Sequence, residues 1–181
     1  MTDKELISDF AKGFIKRTRN IITQYENYVK PILVNQNKKN EYYDVTLLIN
    51  CFYGLLMMPS KLHFKDLKKF TNAKVFLEEQ GFCNVISFKT EPEKSISLEK
   101  FVRSIRNGLG HWEDESQKTV AFEPMKENEP IKKIIVQGTI DQVKTKVKTT
   151  FDISSEEKRN KVLDFLELIY KPETAQGESL Q

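Results

Sequence analysis

The sequence predicts a mainly α protein of the α+β class: an antiparallel helical bundle with a small β-hairpin or sheet inserted before the last helix. Three observations predict it. Through most of positions 1–112, apolar residues recur at steps of three, four and seven, the repeat of a single helix face. Beyond Trp112 the repeat shortens to two over 119–122, 131–140 and 145–153, which is the repeat of strands. From Ser154 the helical pattern returns. No internal repeat and no linker divides the chain, so a single domain is expected over 1–172, with 173–181 as a loose tail.

The elements follow in order. Thr2 and Glu5 stand at capping-box spacing. Leu6, Phe10, Phe14, Ile21, Tyr25, Tyr28 and Ile32 then trace the face expected to meet the core, so the aromatic residues among them read as packing rather than as a base-stacking platform. Lys12, Lys16, Arg17 and Arg19 read as a solvated cluster, and Pro31 with the polar stretch 35–40 as a loop. Asp44 caps a second helix, Val45 to Met58, which Pro59 ends. That helix is apolar nearly all round and is expected to be the most buried. A third helical pattern covers 66–80, with a break at Thr71–Asn72 and a cap at Gly81. Val85 to Phe88 is short and β-prone. Ser97 opens the next helix, with Leu98, Val102, Ile105, Leu109 and Trp112 facing inward. The two longer strands turn near Asp141–Gln142, Ser154 and Glu157 form a second capping box, and Pro172 stops the last helix after Tyr170.

Composition narrows the function classes. Of 181 residues, 39% are hydrophobic and 30% charged, with 12 Phe and 6 Tyr, which excludes wholesale disorder. A net charge of +3 is too small to announce a nucleic-acid binder by bulk charge, so any basic surface has to be a local patch. Two cysteines make no disulfide framework, and Cys51, inside an apolar run, reads as a reduced, buried thiol. The charged start of the chain lacks a signal core, and the run Val45–Met58 is shorter than the ~20 residues of a spanning helix. A soluble, cytoplasmic protein with no membrane partner is expected. Cys51, His63, Cys83 and His111 have the head count of a zinc site, but their gaps match no zinc pattern. No metal and no cofactor is expected.

One constellation carries chemistry. It lies in Arg103-Ser104-Ile105-Arg106-Asn107-Gly108-Leu109-Gly110-His111. On a helix, Asn107 and His111 face the same way, Arg106 stands beside Asn107, and Arg103 shares the polar face. Each glycine inside a helix costs roughly 1 kcal/mol relative to alanine, so Gly108 and Gly110 point to a close approach by a substrate or a second subunit. The plainer alternative is a helix that ends at Gly108 or Gly110, with His111 as a terminal residue favoured by the helix dipole.

Arg106, Asn107 and His111 resemble, position by position, the Arg–polar–spacer–His signature of the HEPN (higher eukaryotes and prokaryotes nucleotide-binding) superfamily. The run from Asp44 to Pro59 is similar to the second helix of a plasmid- and phage-associated HEPN subfamily of bacterial proteins. The resemblance covers most of the chain. It implies a metal-independent endoribonuclease of a toxin–antitoxin or phage-defence system, active as a homodimer with a composite site. His111 would act as general base or acid, Arg106 would stabilise the phosphorane, Asn107 would orient His111 or the phosphate, and Arg103 would bind phosphate. RNA would be cut by 2′-hydroxyl attack, leaving a 2′,3′-cyclic phosphate and a 5′-hydroxyl. An antitoxin protein is a further partner that the resemblance implies. The residues after His111 are Trp112 and Glu113, not the Tyr that a partner nucleotidyltransferase modifies in some toxin members.

Lys144, Lys146 and Lys148 alternate along a strand, so they either grip RNA phosphates or protect an exposed face or edge from pairing. Two rivals to the nuclease remain: a HEPN module without catalysis that binds RNA, a nucleotide or a protein, and a structural adaptor docking through 131–153.

Overall fold

The structure, a computed structural model, describes residues 3–36, 44–57, 67–110, 119–124, 129, 131–140 and 145–170. The capping box at Thr2, the stop at Pro59, His63, Trp112, the turn at Asp141–Gln142 and the tail 173–181 lie outside them.

Helix α1 (Asp3–Gln24) runs without interruption through a π-helical turn (Tyr25–Val29) into α2 (Lys30–Asn35). Pro31 therefore does not end the helix as expected. It falls in the first turn of α2, directly after the π turn has already shifted the hydrogen-bond ladder, so its missing N–H breaks nothing further. The inward face also differs from expectation. Tyr25 is buried and Phe14 packs against the core as expected, but Ala11, Ile15 and Ile22 are buried in place of Phe10, which is 47% exposed, Tyr28, 71% exposed, and the exposed Ile21 and Ile32. Both stripes are apolar at helical spacing. The stripe carrying the small Ala11 won the core, where it lets the next helix come close. Phe10 stacks on Phe14, whose ring lies against Gly54.

Helix α3 (Asp44–Met57) buries Leu48, Cys51, Leu55 and Leu56 completely. After a short 3₁₀ turn at 67–69, α4 (Ala73–Glu79) starts at Asn72. The break expected at Thr71–Asn72 is thus an N-cap: Asn72 Oδ1 accepts from the Lys74 amide at 3.0 Å. Gly81, with φ +69°, turns the chain after the helix as expected.

A four-stranded antiparallel sheet follows, formed by β1 (Ile86–Glu91), β2 (Val120–Glu123), β3 (Lys133–Ile140) and β4 (Thr145–Asp152), in the order β1-β4-β3-β2. The sheet is more than an insertion before the last helix, because β1 precedes helix α5 (Leu98–Gly110) and crosses to pair with β4. Alternation sorts the two faces. Ile86, Phe88, Ile134, Val136, Val147 and Phe151 point inward, while Lys89, Lys146 and Lys148 point to solvent.

Helix α5 lies across the inward face and takes the central place that the sequence had suggested for α3, with Leu98, Phe101, Val102 and Ile105 fully buried. Its N-cap is Ser97, whose Oγ accepts from the Lys100 amide at 3.3 Å. Helix α6 (Glu156–Tyr170) closes the bundle. Its cap is Ser155 rather than Ser154, which is turned toward the Asp152 carboxylate. Arg19 on α1 reaches Asp164 and Asn160 on α6, and Arg159 on α6 reaches Glu26, so Arg19 ties helices together instead of only solvating one. The Tyr170 hydroxyl donates to the Leu55 carbonyl and fixes the end of α6 on α3. No described helix is long and apolar enough to cross a membrane.

Candidate functional site

Arg103, Arg106 and Asn107 all lie in the last two turns of α5. Lys100, Arg103, Asn107 and Gly110 are exposed and follow one another at steps of three and four, so they form one open stripe. The flank at Ser104 and Gly108 is covered by the chain's own sheet. A Cβ placed on Gly108 would lie 2.6 Å from Val136 and 2.8 Å from the Gln137 carbonyl oxygen, and one placed on Gly138 would collide with the Ser104 carbonyl. The close approach expected at Gly108 is therefore made by strand β3, not by a substrate or a second subunit. Two glycines, one on each element, let the backbones touch. The local signal for this contact is Gly138 itself, an isolated glycine inside a strand pattern, but its partner in α5 leaves no trace in the neighbouring sequence.

The three polar side chains diverge in their surroundings. Asn107 donates from Nδ2 to the Thr139 carbonyl at 2.9 Å, so its amide ties the helix to the end of β3. Arg103 pairs with Glu99 one turn earlier, at 2.7 Å; Glu99 is buried, and the guanidinium supplies the counter-charge it requires. Arg106 is half-buried. Burial pushes the Tyr170 phenol up from its ordinary range and the neighbouring Cys51 adds to the rise, while the Arg106 guanidinium pulls against both. Arg106 is thus within electrostatic reach of Tyr170. Burial also pushes the Cys51 thiol up to about 11, against the pull of a Thr18 hydrogen bond and of Arg19. That is the inert, reduced thiol expected from sequence.

His111 and Lys144 lie outside the described residues. Lys146 and Lys148 are exposed on β4, which is paired on both sides, so they lie on a face of the sheet and not at an edge. That face is turned away from α5. The two groups approach each other only at the end of the sheet, where Thr139, held by Asn107, is the cross-strand neighbour of Lys146. Lys89, opposite Lys148 on β1, joins the same face and was not singled out in the sequence, because strand register is not a local signal.

Electrostatically, the stripe offers two cations and an amide on a surface open to solvent. Such a set can hold an anion and stabilise negative charge, but it contains no proton shuttle of its own among the described residues.

Compared with known proteins, residues 1–175 match a family model described as HEPN pEK499 p136. No curated protein and no solved structure matches the chain.

Proposed function

The chain belongs to the HEPN pEK499 p136 family, and from that premise we propose that it is a metal-independent endoribonuclease, acting as a homodimer in the bacterial cytoplasm within a toxin–antitoxin or phage-defence system. The observation that carries the reading is the position of the signature. Asn107 sits in the last turn of a helix whose outer stripe, Lys100–Arg103–Asn107–Gly110, is left uncovered by its own sheet, and Arg106, half-buried, stands one residue before it at the flank of that stripe. A second copy of the chain can reach that stripe. Two copies bring two Arg106 guanidiniums and two His111 imidazoles to one cleft, which overcomes the shortage of a single histidine per motif for separate acid and base roles.

The chemistry follows from the residue types. RNA carries its nucleophile in the 2′-hydroxyl, so the enzyme has to move protons and stabilise a dianionic phosphorane. One His111 takes the 2′-proton and its counterpart protonates the leaving 5′-oxygen, each worth about 10²–10⁴-fold. Arg106 offers a planar fork to the non-bridging oxygens, worth about 10²–10³-fold by analogy with oxyanion-hole donors. Arg103, kept in its pair with Glu99, can offer its remaining guanidinium N–H groups to a substrate phosphate. Asn107, anchored to Thr139, fixes the helix end from which His111 follows.

The test is cleavage of RNA by the purified chain in EDTA, with the ends mapped. The expected products carry 2′,3′-cyclic phosphate and 5′-hydroxyl, and His111→Ala loses at least ~10²-fold in rate while staying folded and dimeric. Undiminished cleavage by that variant, or cleavage only with added metal, overturns the assignment.

A second reading has an observation in its favour. Arg103 and the Asn107 amide are both committed to the chain's own structure, as suits a HEPN module that binds without cutting. It predicts that Arg106→Ala weakens RNA binding while no cleaved ends form under any condition.

A further inference from the structure

The solvent face of the sheet carries a charged surface that the motif does not account for. In register, Lys89 on β1 stands directly opposite Lys148 on β4, and Lys146 follows two residues along β4. All three are exposed. Like charges directly opposite on neighbouring strands repel, so the arrangement is relieved by an anion laid across it. Among the described residues none of the three forms an ion pair. By contrast Lys133 at the far end of the same sheet pairs with Glu123, and Lys158 pairs with Asp152. Among the described residues, Glu91, opposite Lys146, is the carboxylate that stands directly across from one of the three lysines.

The part of that face next to the lysines is polar, and the apolar Ile135 and Ala121 lie farther along it, toward β2. Gln137, Thr139 and Thr150 flank the lysines on β3 and β4, and no aromatic side chain points outward there among the described residues. Strand spacing of about 4.8 Å and an i,i+2 repeat of about 6.8 Å set the lysines at intervals that neighbouring phosphates of one extended strand can match. Without a stacking platform the contact reads charge rather than base sequence. One end of the face meets the C-terminal end of α5, through the bond from Asn107 to the Thr139 carbonyl.

We propose that this face is a track for the phosphate backbone of single-stranded RNA, running over Lys89, Lys148 and Lys146 toward the end of α5. Its destination rests on the RNA-directed reading given above; its existence as a polyanion surface rests on the register alone.

The test uses the full chain and a fluorescein-labelled 2′-O-methyl oligoribonucleotide, which lacks the attacking hydroxyl, so binding is read apart from cleavage. Anisotropy titrations compare wild type with the triple variant Lys89→Gln, Lys146→Gln, Lys148→Gln, and with a control triple, Lys16→Gln, Lys68→Gln, Lys74→Gln, taken from exposed positions elsewhere. Circular dichroism checks that each variant is folded. The expected result is at least about tenfold weaker binding by the sheet variant at low salt, and a plot of log K against log salt shallower by about 2, near 0.7 for each of three phosphate contacts. The control changes by less than about twofold. Equal losses in both triples overturn the track, as does an absence of binding by wild type. Competition by polyglutamate as strong as that by RNA also overturns it, in favour of an acidic protein partner. If wild type cuts RNA and the sheet variant binds and cuts unchanged, the track fails and the nuclease stands. If the sheet variant alone loses binding and no chain cuts RNA, the track stands and the nuclease fails.

Discussion

At single positions, the contact between α5 and β3 allows the sharpest statements. Gly138 faces a backbone carbonyl that cannot yield as a flexible side chain would. Gly138→Ala is therefore expected to cost about 3 kcal/mol or more, read as a drop in the urea midpoint or as failure to fold. Gly13, on α1 with open space around it, is the contrast: Gly13→Ala gains up to about 1 kcal/mol from helix propensity. The cysteines give a second test. Cys83 is exposed, whereas Cys51 is buried with its thiol held up to about 11. Iodoacetamide at neutral pH is expected to label Cys83 alone in the native protein, and both after unfolding; mass spectrometry of the peptides decides. Cys51 and Gly81 were legible in the sequence because their causes are local, an apolar run and a turn. Gly138 was not, because the carbonyl it avoids belongs to Ser104 in another element.

At the level of elements, periodicity identified almost every helix and strand, and the errors came where two faces compete. On α1 the two apolar stripes lie about one residue apart around the helix, and only the packing against α3 and α6 chooses between them. Ile15→Ala is expected to cost about 2–4 kcal/mol and Tyr28→Ser no more than about 0.5 kcal/mol, measured by denaturant unfolding. The reverse order would restore the face read from sequence. Strand β1 shows a second limit. Its β-propensity was visible, but its pairing with β4 joins residues on either side of α5, and that register places Lys89 beside Lys148. At the candidate site, the shared helix face of Arg103 and Asn107 was legible from their spacing, but not the ties that hold Arg103 to Glu99 and Asn107 to Thr139.

For the molecule as a whole, the ion pairs that join elements set its response to acid. Partial burial of Asp152 opposes its ionisation. The Lys158 ammonium, with the hydroxyl and amide of Ser154, outweighs that opposition and holds the carboxyl below its usual range. A carboxyl whose folded pKa is depressed adds stability above its unfolded pKa and loses it as pH falls through the folded one. Unfolding midpoints are therefore expected to decline below about pH 4, and Asp152→Asn to make that decline shallower while lowering stability at neutral pH. An unchanged acid limb in the variant would remove Asp152 from the account.

The seat of α5 on β3 also has a bearing on synthesis. The ribosome makes the chain from its amino end, so the helix bearing Arg106 and Asn107 emerges before the strand against which Gly108 rests and before the carbonyl that Asn107 grips. A nascent or prematurely terminated chain ending ahead of Lys133 holds its motif on an unsupported helix. The motif-bearing helix is thereby seated only once strand β3 has been made.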